Sequence, residues 1–166
     1  MDPIAHASVG LMSRSAAPKA PLWALLLATQ IPDILFFGFE ALGLERQAKT
    51  GPIDLNTGLE YLSPAHMPWS HGLLMAVFWS VLSGLIAFLF LRDQRAGIVI
   101  GLMVFSHWLL DFIVYPNMPV FFNDRPMIGM GLISSGPGFL AGFFLEIALI
   151  LGGVTVYFIS RRKKYS

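Results

Sequence analysis

His107 and Asp111 lie four residues apart in GIVIGLMVFSHWLLDFIVY, a run apolar and long enough to cross a bilayer. On a helix this spacing puts an imidazole and a carboxylate on one face, about 6 Å apart. Such a face can offer a nitrogen and an oxygen to one cation, or it can tie two helices together as a neutral hydrogen-bonded pair. An ionisable group inside a membrane costs several kcal/mol unless it is paired, so each one within a span is a candidate for function. Four histidines (His6, His66, His71 and His107) and three carboxylates in apolar surroundings (Asp33, Asp111 and Glu146) meet this description or border it.

The elements that must position them are membrane helices. The chain has 166 residues, 55% hydrophobic and only 13% charged, with a mean hydropathy of +0.67. This is too apolar for an ordinary soluble domain of that size. Four stretches, about 21–44, 69–91, 97–115 and 137–160, are long enough to span a core of about 30 Å. The expected fold is therefore an all-α membrane protein, one domain over residues 1–166, with four transmembrane helices. A net charge of +1 leaves no basic face for nucleic acid. Cysteine is absent, which excludes disulfides and thiolate metal sites.

Arg14, Lys19, Arg92, Arg95, Arg161, Arg162, Lys163 and Lys164, eight of the eleven cations, flank the spans on one side. By the positive-inside rule both termini are cytoplasmic. The outer loops, about 45–68 and 116–136, hold only Arg46, Lys49 and Arg125. The first 21 residues contain charges and three prolines and read as mature chain, not as a cleaved leader. Within them, 3–13 suits a half-helix, re-entrant or interfacial, with Pro3 at its start and an apolar face of Ile4, Val9, Leu11 and Met12.

The first span is interrupted by Pro32 and carries Gln30 and Asp33, which must face protein. Loop 45–68 could form a small cap, and Asp124–Arg125 reads as a local ion pair. Gly97, Gly101, Ser106, Gly138 and Gly142 permit close helix packing, and the phenylalanines read as lipid-facing or packing rings.

Counting about 1.5 Å per residue from the inner charges puts Asp33 about 20 Å up, Asp111 about 24 Å and Glu146 about 22 Å, so three carboxylates share a layer. His107 lies a turn below, and His71 opens the second span just above. His6 approaches from below if the half-helix points into the bundle, and stays at the inner interface if it lies flat. Three buried anions at one depth repel unless they are protonated or neutralised, and a divalent ion with imidazole ligands neutralises them directly.

An "AH" near the start, "IPD", "HMPWSH" and "SHWLLD" together resemble the ordered signature of the bacterial inner-membrane family of membrane-bound metal-dependent hydrolases, the YdjM-like proteins. That signature runs Gly-His or similar, Pro-Asp-x-Asp-His, His-Arg-Gly-x-Thr-His and Ser-His-x-x-x-Asp, and the resemblance spans essentially the whole chain. It implies His6, Asp33, His71, His107 and Asp111 as metal ligands, with His66 a ligand or an acid/base at the site mouth. This chain departs from the signature where Pro32-Asp33-Ile34-Leu35-Phe36 lacks the second Asp and the His, and where Met67-Pro68 replaces Arg-Gly. The departure points to one metal ion, with Glu146 as substitute ligand or base, or to a site that no longer turns over.

The leading expectation is a hydrolase with zinc as cofactor and with Asp111, Glu146 and His66 as catalytic groups. It would cleave an ester or phosphoester of a lipid or lipid-linked substrate near the outer face. Two rivals belong to other classes: a haem-binding membrane electron carrier, and a proton- or ion-coupled transporter relaying through Asp33, Asp111 and Glu146. Ser70, beside His71, could be a nucleophile, though a supporting hydroxyl or helix cap is its more ordinary role. The chain could also form oligomers.

Overall fold

The computed structural model describes residues 2–46, 66–123, 125–133 and 136–162. Six α-helices follow in order: α1 (Pro3–Met12), α2 (Leu22–Ala28), α3 (Ile31–Ala41), α4 (Leu73–Leu91), α5 (Gln94–Val114) and α6 (Gly136–Arg162). α4 and α5 are each long and apolar enough to cross a membrane, and so is α6 from Leu140 onward. α2 and α3 make a fourth candidate if counted as one span, bent by 54°. The bend does not arise from a proline inside a continuous helix. α2 ends at Ala28, and Pro32 sits in the first turn of α3, where its missing N–H has no intrahelical partner to lose. Between α5 and α6 a short antiparallel ladder pairs β1 (Met118–Pro119) with β2 (Met127–Ile128), in a segment read from sequence only as loop. The cap expected over 45–68 falls largely on residues outside those described, and so does the Asp124–Arg125 pair.

Local sequence accounts for the helix ends. Asp2 caps α1, accepting the Ile4 N–H at 2.8 Å, and Asp93 caps α5, accepting the Ala96 N–H at 2.8 Å. Arg92 closes α4 in a left-handed conformation, φ 49°, so α4 and α5 form a hairpin with a two-residue turn. Lys19 ties the chain before α2 to this turn with an exposed ion pair to Asp93 at 2.9 Å. The Lys19 ammonium and the Ala96 N–H hold the Asp93 carboxyl below its ordinary range.

The hairpin packs backbone to backbone. A Cβ added at Gly97 would lie 2.7 Å from the Gly84 carbonyl oxygen and 2.8 Å from Phe88 Cβ, and one at Gly101 would lie 2.8 Å from the Ser80 carbonyl oxygen. Small residues thus set the interhelical distance, as membrane helices require in the absence of a hydrophobic drive between them. Gly97→Val is expected to destabilise the protein by about 1–3 kcal/mol through overpacking, read as a lower midpoint of unfolding in detergent, whereas Gly38→Ala, with open space around it, is expected to change little.

Burial runs opposite to that of a soluble protein. Phe90 is 85% exposed, Leu42 73% and Trp23 67%, while small and polar residues such as Ala5, Ala28, Ala96, His6, Thr29 and Ser70 are buried alongside the apolar core. α1 buries its small and polar residues. Ile4 points outward, and Ala5, His6, Ser8 and Gly10 are buried. Gly10 abuts the Leu25 backbone of α2 and Gly153 of α6 abuts Ser8, so α1 is held within the bundle, not laid along its surface. α5 is the most buried long helix and carries His107 and Asp111 on its inward face.

Candidate metal centre

His107 and Asp111 project from α5, Asp33 from the first turn of α3, His6 from α1, and His71 from the turn that precedes α4. α4, the helix of the second expected span, does not reach back to His71; it begins after Gly72, which supplies the N-cap. The structure brings all five side chains together. His107 Nε2 lies 3.3 Å from His71 Nε2, 3.3 Å from Asp111 Oδ2 and 3.5 Å from Asp33 Oδ1. His71 Nε2 is 3.4 Å from Asp33 Oδ1 and 3.8 Å from Asp111 Oδ2. His6 stacks on His107 with ring centroids 3.9 Å apart and reaches Asp111 Oδ1 at 3.4 Å through Nε2. Two sets, His6–His107–Asp111 and Asp33–His71–His107, share His107, and either could hold a metal ion. The side chains of His6, His71, His107 and Asp111 are nearly sealed, and Asp33, 32% exposed, forms the open rim.

The outer partners of two imidazoles decide where their protons sit. His107 Nδ1 is 2.7 Å from the Thr29 carbonyl, which can only accept, so Nδ1 carries a hydrogen, and in the neutral ring Nε2 presents a lone pair. His71 Nδ1 is 2.7 Å from Ser70 Oγ, whose hydroxyl is 2.6 Å from the buried carboxylate of Glu45. A carboxylate also only accepts, so Ser70 donates to Glu45 and must accept from His71 Nδ1–H. The His71 Nε2 lone pair then faces the same point as that of His107. With both rings neutral, two imidazole lone pairs and two carboxylate oxygens converge, an arrangement that a metal ion or added protons relieve. His6 Nδ1, also buried, has no hydrogen-bond partner among the described residues.

Two groups expected at the site lie elsewhere. Glu146 accepts the backbone N–H of Asp2 at 3.0 Å, at the exposed start of α1, so it is not brought into the cluster despite its matching depth. Depth along a helix does not determine which way a side chain points around the axis, and α6 is turned by the contact of Gly153 with Ser8. His66 pairs through its backbone with Arg46 in an isolated bridge and belongs to neither ligand set. Ser70 is fully buried and bonded on both sides, which leaves no approach for a nucleophile.

Sequence reasoning missed two contributors. Thr29 acts through its main-chain carbonyl, which no side-chain pattern reveals. Glu45 follows the first span in a polar stretch where a glutamate draws no notice, yet it is 1% exposed.

The three rings also limit what can bind between them. His6 and His107 are stacked in contact and His71 stands edge-on to His107 with centroids 5.3 Å apart, so no pair faces across a porphyrin-wide gap as two axial haem ligands must. Phe36, standing where the resembled signature has a histidine, is buried and edge-on to His71 at 6.0 Å. A phenyl ring there fills space beside the cluster and adds no donor.

No curated protein and no solved structure matches the chain. A family model does, that of the YdjM inner membrane protein, over residues 1–164; the chain belongs to this family.

Proposed function

We propose that the protein is a membrane-embedded metal-dependent hydrolase that cleaves an ester or phosphoester of a lipid or lipid-linked substrate. In this reading His71, His107, Asp33 and Asp111 hold one divalent ion, with His6 completing the set through the second oxygen of Asp111. The observation that carries the reading is the convergence of lone pairs described above. Zinc fits the spacing. Bonds of about 2.0–2.1 Å in a tetrahedron correspond to edges of about 3.3–3.4 Å between ligand atoms, and the three edges of the Asp33–His71–His107 set are 3.3–3.5 Å.

A bound zinc ion supplies Lewis acidity and lowers the pKa of water toward about 7. The chain's own groups do the rest. Asp33, at the open rim, meets the arriving substrate. Asp111, sharing its Oδ1 with His6 Nε2, offers a place to take up a proton and pass it on. Four nearly sealed side chains keep bulk water from the other side of the centre. The large apolar side chains exposed around the bundle suit a substrate whose tails stay in the bilayer while its head group reaches Asp33. Eight of the eleven cations on one side orient both termini to the cytoplasm, with α1 re-entrant and α2–α3 a broken fourth span.

The test is elemental analysis of protein purified in detergent, combined with phospholipid and lipid-linked ester substrates presented in mixed micelles. About one zinc per chain and zinc-dependent release of a head group are expected. Protein with iron in place of zinc and a Soret band would favour the haem reading instead, and substrate crossing proteoliposomes unchanged would favour transport.

A further inference from the structure

Outside the five converging residues, Glu45 is the one carboxylate of the described chain almost wholly removed from solvent, and its surroundings are built for it. Oε1 accepts the backbone N–H groups of Trp69 at 2.8 Å and Ser70 at 2.9 Å, and Oε2 accepts the Ser70 hydroxyl at 2.6 Å. Three donors on one buried anion satisfy it without a cation. The same contacts fix the turn that carries His71, and Ser70 then passes the arrangement to the His71 ring at 2.7 Å. The order of groups matters: serine stands between acid and imidazole, the reverse of a nucleophilic triad, in which the imidazole stands between acid and serine.

We infer that Glu45 and Ser70 are positioning residues of the metal centre, a carboxylate–hydroxyl chain that holds His71 in the tautomer whose Nε2 is free to ligate; the inference rests on the metal-centre reading proposed above. Outer partners of this kind orient ligating histidines and raise their basicity. Here the control runs through a hydroxyl, and its direction is set by the acid. Because Glu45 can only accept, the Ser70 proton points away from His71.

Glu45→Gln separates this role from simple support of the turn. The glutamine oxygen can keep both backbone N–H bonds, while its NH2 group replaces Oε2 and donates to Ser70 Oγ. The Ser70 proton is then turned onto His71 Nδ1, which moves the imidazole hydrogen to Nε2 and points it into the cluster. A side chain of nearly the same shape thereby removes a ligand. Ser70→Ala removes the chain but leaves the backbone bonds of Glu45, and Ser70→Thr restores the hydroxyl.

The experiment uses the full chain in detergent, with cobalt(II) titration followed by visible absorption and imidazole 15N shifts read on the metal-free protein. Glu45→Gln and Ser70→Ala are expected to weaken cobalt binding about 10–100-fold, with thermal unfolding of the metal-free forms close to wild type and with Ser70→Thr recovering most of the affinity. His71 is expected as the Nδ1–H tautomer in wild type and as Nε2–H in Glu45→Gln. Wild-type affinity in both Glu45→Gln and Ser70→Ala, or an Nε2–H tautomer of His71 in the wild type, overturns the inference. Failure of the wild type to bind cobalt overturns the metal-centre reading itself, a result distinct from tight wild-type binding that the substitutions leave unchanged.

Discussion

Replacing His107 with alanine is expected to abolish stoichiometric metal binding. Its Nε2 belongs to both candidate ligand sets and makes three of the short separations in the cluster. Structural zinc sites release roughly 10–16 kcal/mol on binding, so one of four ligands accounts for about 3 kcal/mol, or about 100-fold in affinity. The loss should exceed that figure, because the ring also supports His6 by stacking at 3.9 Å and partners the Thr29 carbonyl at the break between α2 and α3. Leaving that carbonyl unsatisfied in a buried place costs a further 1–3 kcal/mol or so. Ser106→Ala is the control: its hydroxyl bonds back to the Met103 carbonyl of its own helix at 2.7 Å, so metal content should stay at the wild-type level. Elemental analysis of the two variants in parallel checks both expectations. Full metal content in His107→Ala would mean that the converging side chains are not the ligands.

The second large effect is expected on removing the metal. A ligand that binds only the folded state adds about 4 kcal/mol when its free concentration is about 1,000 times its dissociation constant. For a chain of this size that corresponds to roughly 10 °C in the unfolding midpoint. A strong chelator should therefore lower the midpoint by about that amount, and zinc or cobalt should restore it. The physical cause is mutual repulsion in a low-dielectric place. Without a cation, the two carboxylates and two imidazole lone pairs must either face one another or take up protons. A neutral His–Asp network that merely tied helices together would respond in the opposite sense, with no loss on chelation. The His107→Ala protein provides an internal check, since its midpoint should no longer depend on chelator. Scanning calorimetry or a thermal shift in detergent, with and without chelator, distinguishes these outcomes.

Much of the site was visible in the sequence because charge in an apolar run is costly and therefore rare. Asp33, His107 and Asp111 stand out against their neighbours for that reason, and the i, i+4 spacing of the last two already assigns them one helical face. His6 and His71 were legible through residue type and the ordered pattern around them. The direction of burial on α1 was not. Residue type along 3–13 does not say that Ile4 turns outward while Ala5, His6, Ser8 and Gly10 turn inward.

The presence of long apolar helices and the residues able to ligate follow from one-dimensional facts: run length and residue type. Rotation about each helix axis does not, since it is set by which backbones approach closely, as at Gly97 against Gly84 and Gly153 against Ser8. That rotation is why Glu146 bonds to Asp2 while Asp33 and Asp111 each reach His107. The same holds for Glu45 and the Thr29 carbonyl: a buried acid in a polar stretch and a main-chain oxygen carry no local signature, and only the tertiary structure sets them behind His71, through Ser70, and His107.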